Sequence, residues 1–509
     1  MSTPIVDESA EDRRRQGKGL ALSTKFQVSA HMFFARRAVA ALTRRRVSMQ
    51  AEPGRRQSMA VLASVMITVV GCLGALFWSV LRPAGSARES RILADQQSGA
   101  LYVRVGERLY PALNLASARL IAGQPDSPVR VRRSEIDSRP RGPLVGIAGA
   151  PNEMSATSPP RSSWLVCDQV TKAFGAHAPE PVAVTVIDGQ PDLGQRRQVL
   201  GDHDALVRKY GDDVWLIHGG RRSLVDRNAR PALLALGLSP DVVSSARPMS
   251  RALFDAIPVG PELTVPTVPQ AGSPAGFAEA PGPVGTVVST PQVGGQVTYS
   301  VVLSAGMQTV TAVAAQILAN AGPTGTKMPV LAGAALAKLP TADGLDMAVY
   351  PDTPPHILDS QVYSAACWHW AKVSGESLAA TEVIAGPTIP VADSQTDKVV
   401  ELVADKSGWQ ADQVYFGSQS ANYLIATGDA PSSPVAHPLW WVSESGVRFG
   451  VERNEETLRA LGLSTTASPA PWSILRLLAP GPALSRADAL TRHNTLPTDN
   501  HPGELETPK

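Results

Sequence analysis

The longest apolar run in the chain covers residues 59–81, and it contains no charged residue. About 20 apolar residues form a helix long enough to cross a bilayer, and a helix satisfies its own backbone hydrogen bonds there. Arg55 and Arg56 precede the run and Arg82 follows it, so both ends have a polar limit. The pattern predicts one membrane-spanning helix. A cleaved signal peptide and a buried helix of a soluble protein are the alternatives, and the long basic region before the run disfavours the first.

Residues 1–58 carry a basic excess. They hold twelve Lys or Arg and five acids, a net charge of +7, and the whole chain is +2, which leaves −5 for residues 59–509. Basic segments remain on the cytoplasmic side of a membrane helix. We therefore expect a cytoplasmic N-terminus and an extracytoplasmic C-terminal region. Between Phe26 and Val47 apolar residues are interspersed with arginines, which predicts an amphipathic helix that lies on the inner leaflet or docks a cytoplasmic partner.

A pattern of apolar strand, glycine turn, second strand and amphipathic helix recurs four times beyond the membrane helix. The four modules lie near residues 92–121, 206–238, 299–322 and 438–463, with turn glycines Gly106, Gly220, Gly306 and Gly446. Each is predicted to be a β-hairpin covered by one helix, because a lone hairpin is marginal in water. We expect positive φ at the turn glycines. The irregular spacing disfavours a solenoid, so the expected fold class is α+β, with the modules around a central β-rich domain.

The three cysteines lie in two different environments. Cys72 is inside the apolar run, whereas Cys167 and Cys367 are both beyond it. Two lone cysteines in an oxidising compartment most simply pair. We expect a disulfide between Cys167 and Cys367, with two separate buried thiols as the alternative.

These patterns divide the chain into four parts. They are a cytoplasmic basic arm at 1–58, a transmembrane helix at 59–81, an extracytoplasmic repeat-containing domain at 82–478, which the resemblance given below places in the periplasm, and a polar, proline-bearing tail at 479–509. Glycine and proline together number 85 of 509 residues, above their usual share, which favours many turns and short strands.

The sequence indicates no catalytic centre, metal or cofactor. The nearest match to a phosphate-binding loop, residues 322–327, lacks the adjacent Gly-Lys-Ser/Thr that places a lysine on phosphate. HExxH, CxxC and GxSxG patterns are absent. The sequence contains no block of basic residues interleaved with aromatic residues, so it does not indicate nucleic-acid binding. His369 lies close to Cys367 in the sequence, and such a pair suggests a reactive site. An exposed position that follows a disulfide explains His369 without a catalytic role.

Several strings of residues carry a family resemblance. They are Leu-Ser-Thr-Lys-Phe-Gln-Val at 22–28, Ser-Gly-Ala-Leu-Tyr-Val-Arg-Val-Gly at 98–106, Leu-Asn-Leu-Ala-Ser-Ala-Arg at 113–119, Trp-Leu-Val-Cys at 164–167, Arg-Pro-Met-Ser-Arg-Ala-Leu at 247–253 and Leu-Ser-Arg-Ala-Asp-Ala-Leu at 484–490. Together with one membrane span, they resemble the EccB family of mycobacterial type VII (ESX) secretion systems over nearly the whole chain. The details are closest to the paralogue of the fifth ESX system.

The resemblance implies a structural core subunit of an inner-membrane secretion complex, which scaffolds a periplasmic assembly for protein export. It also implies partners: other copies of the chain, the EccC motor ATPase, EccD, EccE, the mycosin protease and inner-membrane lipid. Family members are often labelled ATPases, a label that no phosphate-binding loop in this sequence supports.

Two functions of other classes stay open. The first is a membrane-bound hydrolase, against which the missing phosphate loop and the missing nucleophile pattern weigh. The second is a peptidoglycan-binding module, because sugar sites need only shallow aromatic and polar surfaces. Trp368, Trp440 and Trp441 are the candidates for such a surface.

Overall fold

The computed structural model describes residues 25–44, 54–81, 90–171, 181–322, 327–347, 349–403, 409–463, 466–497 and 502. The chain forms two compact units, Met1–Ser86 and Ala87–Lys509. Helices α1 (Lys25–Arg44) and α2 (Gly54–Leu81) belong to the first unit. The segment Ser58–Phe77 of α2 has a mean hydropathy of 2.4 and none of it is buried, so its length and composition suit a membrane span. Arg55 and Arg56 lie in the first turn of α2, and Arg82 lies outside the described residues.

The second unit opens with repeat 1, residues 92–145. Strands β1 (Ile92–Asp95), β2 (Leu101–Val105) and β3 (Arg108–Ala112) form an antiparallel meander, followed by α3 (Leu115–Ala122), β4 (Val129–Val131), α4 (Arg133–Asp137) and β5 (Leu144–Val145). Strand β4 pairs in parallel with β1, and β5 pairs in parallel with β3. Apolar residues of α3 cover one face of the sheet, while Ile136 of α4 covers the other. The helices therefore enclose both faces of a small sheet.

Three strands then begin the central sheet and lead into repeat 2, residues 204–263. The central strands are β6 (Arg161–Val170), β7 (Val182–Asp188) and β8 (Gln198–Val199). Repeat 2 consists of β9 (Asp204–Tyr210), β10 (Asp213–His218), β11 (Arg221–Val225), α5 (Arg230–Ala235), α6 (Pro240–Ser244), β12 (Arg247–Pro248) and α7 (Arg251–Ala256). Strand β12 pairs in parallel with β9, and Val259 bridges β11 in parallel, as β4 and β5 do in repeat 1.

Repeat 3, residues 287–341, has the same order with fewer strand pairs. It consists of β13 (Val287–Pro291), β14 (Val297–Val302), β15 (Met307–Val310), α8 (Ala312–Ala321) and α9 (Gly333–Leu336). Single parallel bridges replace its last two strands, from Val330 to β13 and from Thr341 to β15. Strand β16 (His356–Ile357) then pairs in parallel with β9 and so extends the sheet of repeat 2. The central sheet resumes with β17 (Ala365–Val373), β18 (Ala380–Gly386), β19 (Val400–Glu401) and β20 (Gln413–Phe416).

Repeat 4, residues 423–484, closes the unit. It consists of β21 (Tyr423–Thr427), β22 (Val435–Val442), β23 (Val447–Val451), α10 (Glu455–Leu461), β24 (Ser468–Pro471), α11 (Trp472–Leu475) and β25 (Ala479–Pro480). Helix α12 (Arg486–Ala489) and strand β26 (Arg492–His493) follow, and β26 pairs with β5 of repeat 1. The division at residue 479 is therefore wrong as a domain limit, since β25 completes repeat 4 and β26 extends the sheet of repeat 1.

The four repeats share a longer unit than the sequence pattern suggests. Each has three antiparallel strands, a helix, a segment parallel to the first strand, a second short helix and a segment parallel to the third strand. The prediction of a hairpin with one helix is therefore incomplete. The added elements are often two to five residues long, too short for a hydrophobic period to register. The α+β class with a central β-rich region is confirmed.

The repeats pair around a seven-stranded sheet whose order is β19-β20-β7-β6-β17-β18-β8. Repeats 2 and 3 share one apolar core, and repeats 1 and 4 share another. Trp164, Trp368 and Trp370 on one face of the central sheet pack against α7, α11 and parts of repeats 2 and 4. The central sheet is therefore the element to which repeats 2 and 4 attach.

The turns of the four repeats require glycine for two different physical reasons. Gly106, Gly220 and Gly446 have φ of 60°, 70° and 78°, a conformation that glycine adopts without strain. The expectation of positive φ is wrong at Gly306, whose φ is not positive. A Cβ there would lie 2.5 Å from the Pro340 carbonyl oxygen, so close backbone approach is what requires glycine.

Candidate functional site

The expected disulfide lies in the middle of the central sheet. Cys167 on β6 and Cys367 on β17 are directly opposite each other, both are buried, and their sulfurs are bonded. The bond joins the strand that precedes repeat 2 to the strand that follows repeat 3. In the loop-entropy model, closing 200 residues stabilises the fold by about 5 kcal/mol.

A buried polar network holds repeat 2 against the opposite face of this sheet. Asp168 follows Cys167 on β6, and its carboxylate accepts hydrogen bonds of 2.6 Å from both the backbone N and the Oγ of Ser250, the residue that caps α7. Burial raises the pKa of Asp168 to about 6, although these hydrogen bonds and Arg208 oppose the shift. Arg208 on β9 is itself buried and donates to the Tyr363 carbonyl oxygen at 2.7 Å. The network therefore fixes α7 on β6 and β9 on the segment that precedes β17.

Repeat 2 presents a tryptophan and an arginine toward α7. The Arg222 guanidinium lies 5.1 Å from the centre of the Trp215 ring and 3.6 Å from that of Phe254 on α7. Its Nε donates to the carbonyl oxygens of Phe254 and Ile257, at the end of the same helix. Cation–π contact and hydrogen bonding together dock the helix on the repeat.

Repeat 4 repeats this arrangement with α11. The Arg448 guanidinium lies 5.0 Å from the Trp440 ring and 5.2 Å from the Trp472 ring, and its Nε donates to the Leu478 carbonyl oxygen. The strand register is also the same. In each repeat the arginine is two residues before the partner of the tryptophan, Leu224 in repeat 2 and Gly450 in repeat 4. Neither arginine was predicted from the sequence, although a tryptophan on one strand and an arginine on the next is a visible signal.

The corresponding positions in repeats 1 and 3 differ in chemistry. They are Tyr102 with Leu109 in repeat 1 and Ser300 with Met307 in repeat 3. Leu109 and Met307 pack in small apolar cores beneath α4 and α9. The tryptophan–arginine pair therefore occurs only in the two repeats that contact the central core.

The tryptophans proposed for sugar binding are not suited to it. Trp368 and Trp441 are 1% and 3% exposed, so their rings are closed to a ligand, and Trp440 is half-buried against Trp472. The exposed tryptophans among the described residues are Trp409 at 46% and Trp472 at 41%. The Arg251 guanidinium lies 3.6 Å from the centre of the Trp409 ring. Neither exposed ring was indicated by the sequence.

One hydrogen-bonded chain has the distances of a catalytic triad. Ser163 Oγ lies 2.9 Å from His369 Nε2, and His369 Nδ1 lies 2.8 Å from Glu382 Oε1. The His369 contact lowers the pKa of Glu382. However, Ser163 is buried and its hydroxyl is 2.7 Å from the Gly189 carbonyl oxygen, to which it donates. The chain links three strands and offers no accessible nucleophile. His369 is also buried, so the expected surface position is wrong.

The segment that most resembled a phosphate loop follows a helix instead of preceding one. Gly322 ends α8, and residues 323–326 lie outside the described part. Phosphate binds at helix N-termini, where the helix dipole is positive, and a C-terminus has the opposite polarity. Among the described residues, no three His, Cys, Asp or Glu side chains come together as metal ligands would.

The whole-chain comparison settles the family. The family model described as type VII secretion system ESX-1, transport TM domain B, matches residues 20–498. The chain belongs to the EccB family. The ESX-5 secretion system ATPase EccB5 of Mycobacterium tuberculosis strain H37Rv is 55% identical over 504 residues, which are 99% of this chain and 100% of that relative. The protein of the same name from Mycobacterium marinum is 54% identical, again over 99% and 100%.

Solved structures of EccB proteins have the same fold. A chain in the structure of an intact ESX-5 inner membrane complex has a TM-score of 0.76 at 55% identity, and the match covers 96% of this chain and 100% of that one. An EccB3 dimer from the ESX-3 core complex has a TM-score of 0.68 at 37% identity, over 79% and 100%. The repeats and central sheet described here are therefore the EccB architecture.

Proposed function

We propose that this EccB-family chain is a structural core subunit of a type VII secretion complex, which anchors and scaffolds the periplasmic assembly for protein export across the envelope. One observation carries the proposal: the likeness to a subunit of the ESX-5 inner membrane complex covers 96% of this chain at 55% identity. A likeness of that extent includes the membrane arm as well as the repeats. The disulfide and the repeats that pack on the central sheet suit a rigid scaffold that keeps its partners in fixed positions.

Three parts of the chain have separate roles in this proposal. Residues 1–58 couple the subunit to cytoplasmic partners, residues 59–81 anchor it, and the repeats from residue 82 onward build the periplasmic part. That part includes the C-terminal strands that complete repeat 4 and pair with repeat 1. The net charge of +7 on residues 1–58 supports the cytoplasmic orientation. The partners are other copies of the chain, EccC, EccD, EccE and the mycosin protease.

We also propose that the subunit does not hydrolyse ATP, although its curated relatives are named ATPases. The glycines of its hairpins lie between two strands, whereas phosphate cradles join a strand to the N-terminus of a helix. Ser163 and His369 of the triad-like chain are buried. These features favour a scaffold over a hydrolase.

The test is to purify the full-length chain in mild detergent together with its natural partners and to measure the mass of the particle. ATP hydrolysis is measured on the isolated subunit in parallel. We expect a particle of several subunits and an isolated subunit without activity. A matched variant with residues 59–81 replaced by an unrelated single-span helix separates simple anchoring from specific contacts within the membrane.

Two results would contradict the proposal. A chain that purifies as a monomer under conditions that keep the other subunits assembled is not a core component. ATP hydrolysis that follows the isolated subunit through successive purification steps would require a nucleotide site that no known sequence motif describes.

A further inference from the structure

Charge is distributed unevenly in the second unit. Residues 90–145, which contain repeat 1, hold nine arginines and five acids, a net charge of +4. Residues 146–509 carry a net charge of −10, of which −8 lies in residues 342–422. The positive charge is therefore concentrated in the repeat that directly follows the membrane helix in the chain.

Some of the nine arginines of residues 90–145 have partners within the same segment. Arg133 pairs with Asp95 and Asp137, and Arg141 pairs with Asp137. Arg91 donates to the Ala122 carbonyl oxygen. These contacts fix the two helices and the strand ends, so these arginines have a structural role.

Four other arginines of repeat 1 have no such partner. Arg108 lies in the β2–β3 hairpin, Arg130 and Arg132 are on and beside the edge strand β4, and Arg139 follows α4. Arg108, Arg130 and Arg132 are exposed, and Arg139 is partly exposed. No ion pair or side-chain hydrogen bond joins their guanidinium groups to any other residue that the structure describes. We call these four residues the free arginines.

Repeat 1 is the part of the second unit that follows α2 most closely in the chain. Only residues 82–89 separate the end of α2 from the first described residue of repeat 1. Eight residues extend over at most about 30 Å. A guanidinium binds phosphate with two parallel hydrogen bonds, which suits it to phospholipid headgroups.

We propose that repeat 1 binds the headgroups of anionic phospholipids through Arg108, Arg130, Arg132 and Arg139. Each arginine near an anionic bilayer surface increases the affinity by about fivefold. Four arginines then orient a repeat that the membrane helix already tethers. The inference rests on the part of the proposed function that places α2 across a membrane, but it requires neither a partner subunit nor a particular orientation.

The test uses the full-length chain reconstituted into nanodiscs. One set contains phosphatidylcholine alone, and the other contains 30% phosphatidylglycerol by composition. Hydrogen exchange is measured on peptides from residues 101–112 and 127–142. We expect exchange to be several-fold slower in the anionic discs, with the difference lost in about 0.5 M salt, because salt screens exposed charges.

Two double variants distinguish the free arginines from general positive charge. Arg132→Gln with Arg139→Gln removes two free arginines, and we expect it to abolish most of the protection in anionic discs. Lys327→Gln with Lys338→Gln removes two exposed charges from repeat 3 and is expected to leave the protection unchanged. Unaltered exchange of the central-sheet peptides shows that each variant is folded.

Three outcomes would overturn the inference. The first is equal exchange in the two kinds of disc. The second is equal protection in phosphatidylcholine discs supplied with inorganic phosphate, which would indicate an adventitious ion only. The third is protection that requires two copies in one phosphatidylcholine disc, which would assign the arginines to a protein contact. The assembled mass of the complex is measured separately, so failure here leaves the scaffold proposal to its own test.

Discussion

At the scale of single residues, one disulfide joins the strand that precedes repeat 2 to the strand that follows repeat 3. Cys167→Ser and Cys367→Ser are each expected to lower the stability of the second unit by the same amount, at most about 5 kcal/mol. The double variant should be no worse, because either substitution already removes the bond. The measurement is the unfolding midpoint of the full chain without reductant. Thiol titration of the unfolded, unreduced wild type should detect Cys72 alone, and three free thiols would disprove the bond.

Asp168 makes stability depend on pH. Burial raises its pKa from the ordinary value of 3.8 to about 6, so between these values the folded state binds more protons than the unfolded chain. The free energy of unfolding should therefore fall as the pH rises from about 4 to about 6. Asp168→Asn should make this part of the profile flatter, because the amide does not titrate. Asp397→Asn, at an exposed position, should leave the slope intact; equal slopes in all three proteins would contradict the assignment.

At the scale of elements, the tryptophan–arginine pairs of repeats 2 and 4 dock a helix each. Arg222→Leu should destabilise the second unit by about 1–3 kcal/mol, since it removes two hydrogen bonds from a charged donor and the contact with Phe254. Arg448→Leu should have a similar but smaller effect, because Arg448 makes one hydrogen bond. Arg221→Leu is the exposed neighbour for comparison. Equal unfolding midpoints for Arg221→Leu and Arg222→Leu would show that the docking contact contributes nothing.

Gly306 tests close approach separately from backbone conformation. Gly306→Ala should destabilise repeat 3 by about 1–3 kcal/mol, because its Cβ would meet the Pro340 carbonyl oxygen at 2.5 Å. Gly333→Ala, whose Cβ would have only an ordinary contact at 3.9 Å, is the matched substitution. Thermal unfolding of both variants decides the question, and no difference between them would mean that the backbone shifts freely.

The same elements show how far the sequence alone reaches. The apolar run within α2 contains no charged residue, and the helices that follow the hairpins are amphipathic. The existence of these helices could therefore be predicted. Strands such as β12 and β25 are two residues long, and pairing with a distant strand, not local preference, defines them. For the same reason the site could be anticipated only in part. Cys167 and Cys367 are chemically distinctive, whereas Arg222 and Arg448 acquire their role from a register that only the fold reveals.

At the scale of the whole molecule, the chain closes on itself through its C-terminal residues. Strand β25 pairs with β23, α12 packs on α3, and β26 pairs with β5, which joins repeat 4 to repeat 1. A chain that stops after residue 478 should therefore lose this closure and unfold or aggregate when expressed, whereas a stop after residue 497 keeps every one of these elements. Limited proteolysis and unfolding midpoints compare the two truncations with the full chain. Equal behaviour of both truncations would show that residues 479–497 are a dispensable tail, as the polar sequence suggests, and that the pairing of repeats 1 and 4 is held by their shared apolar core alone.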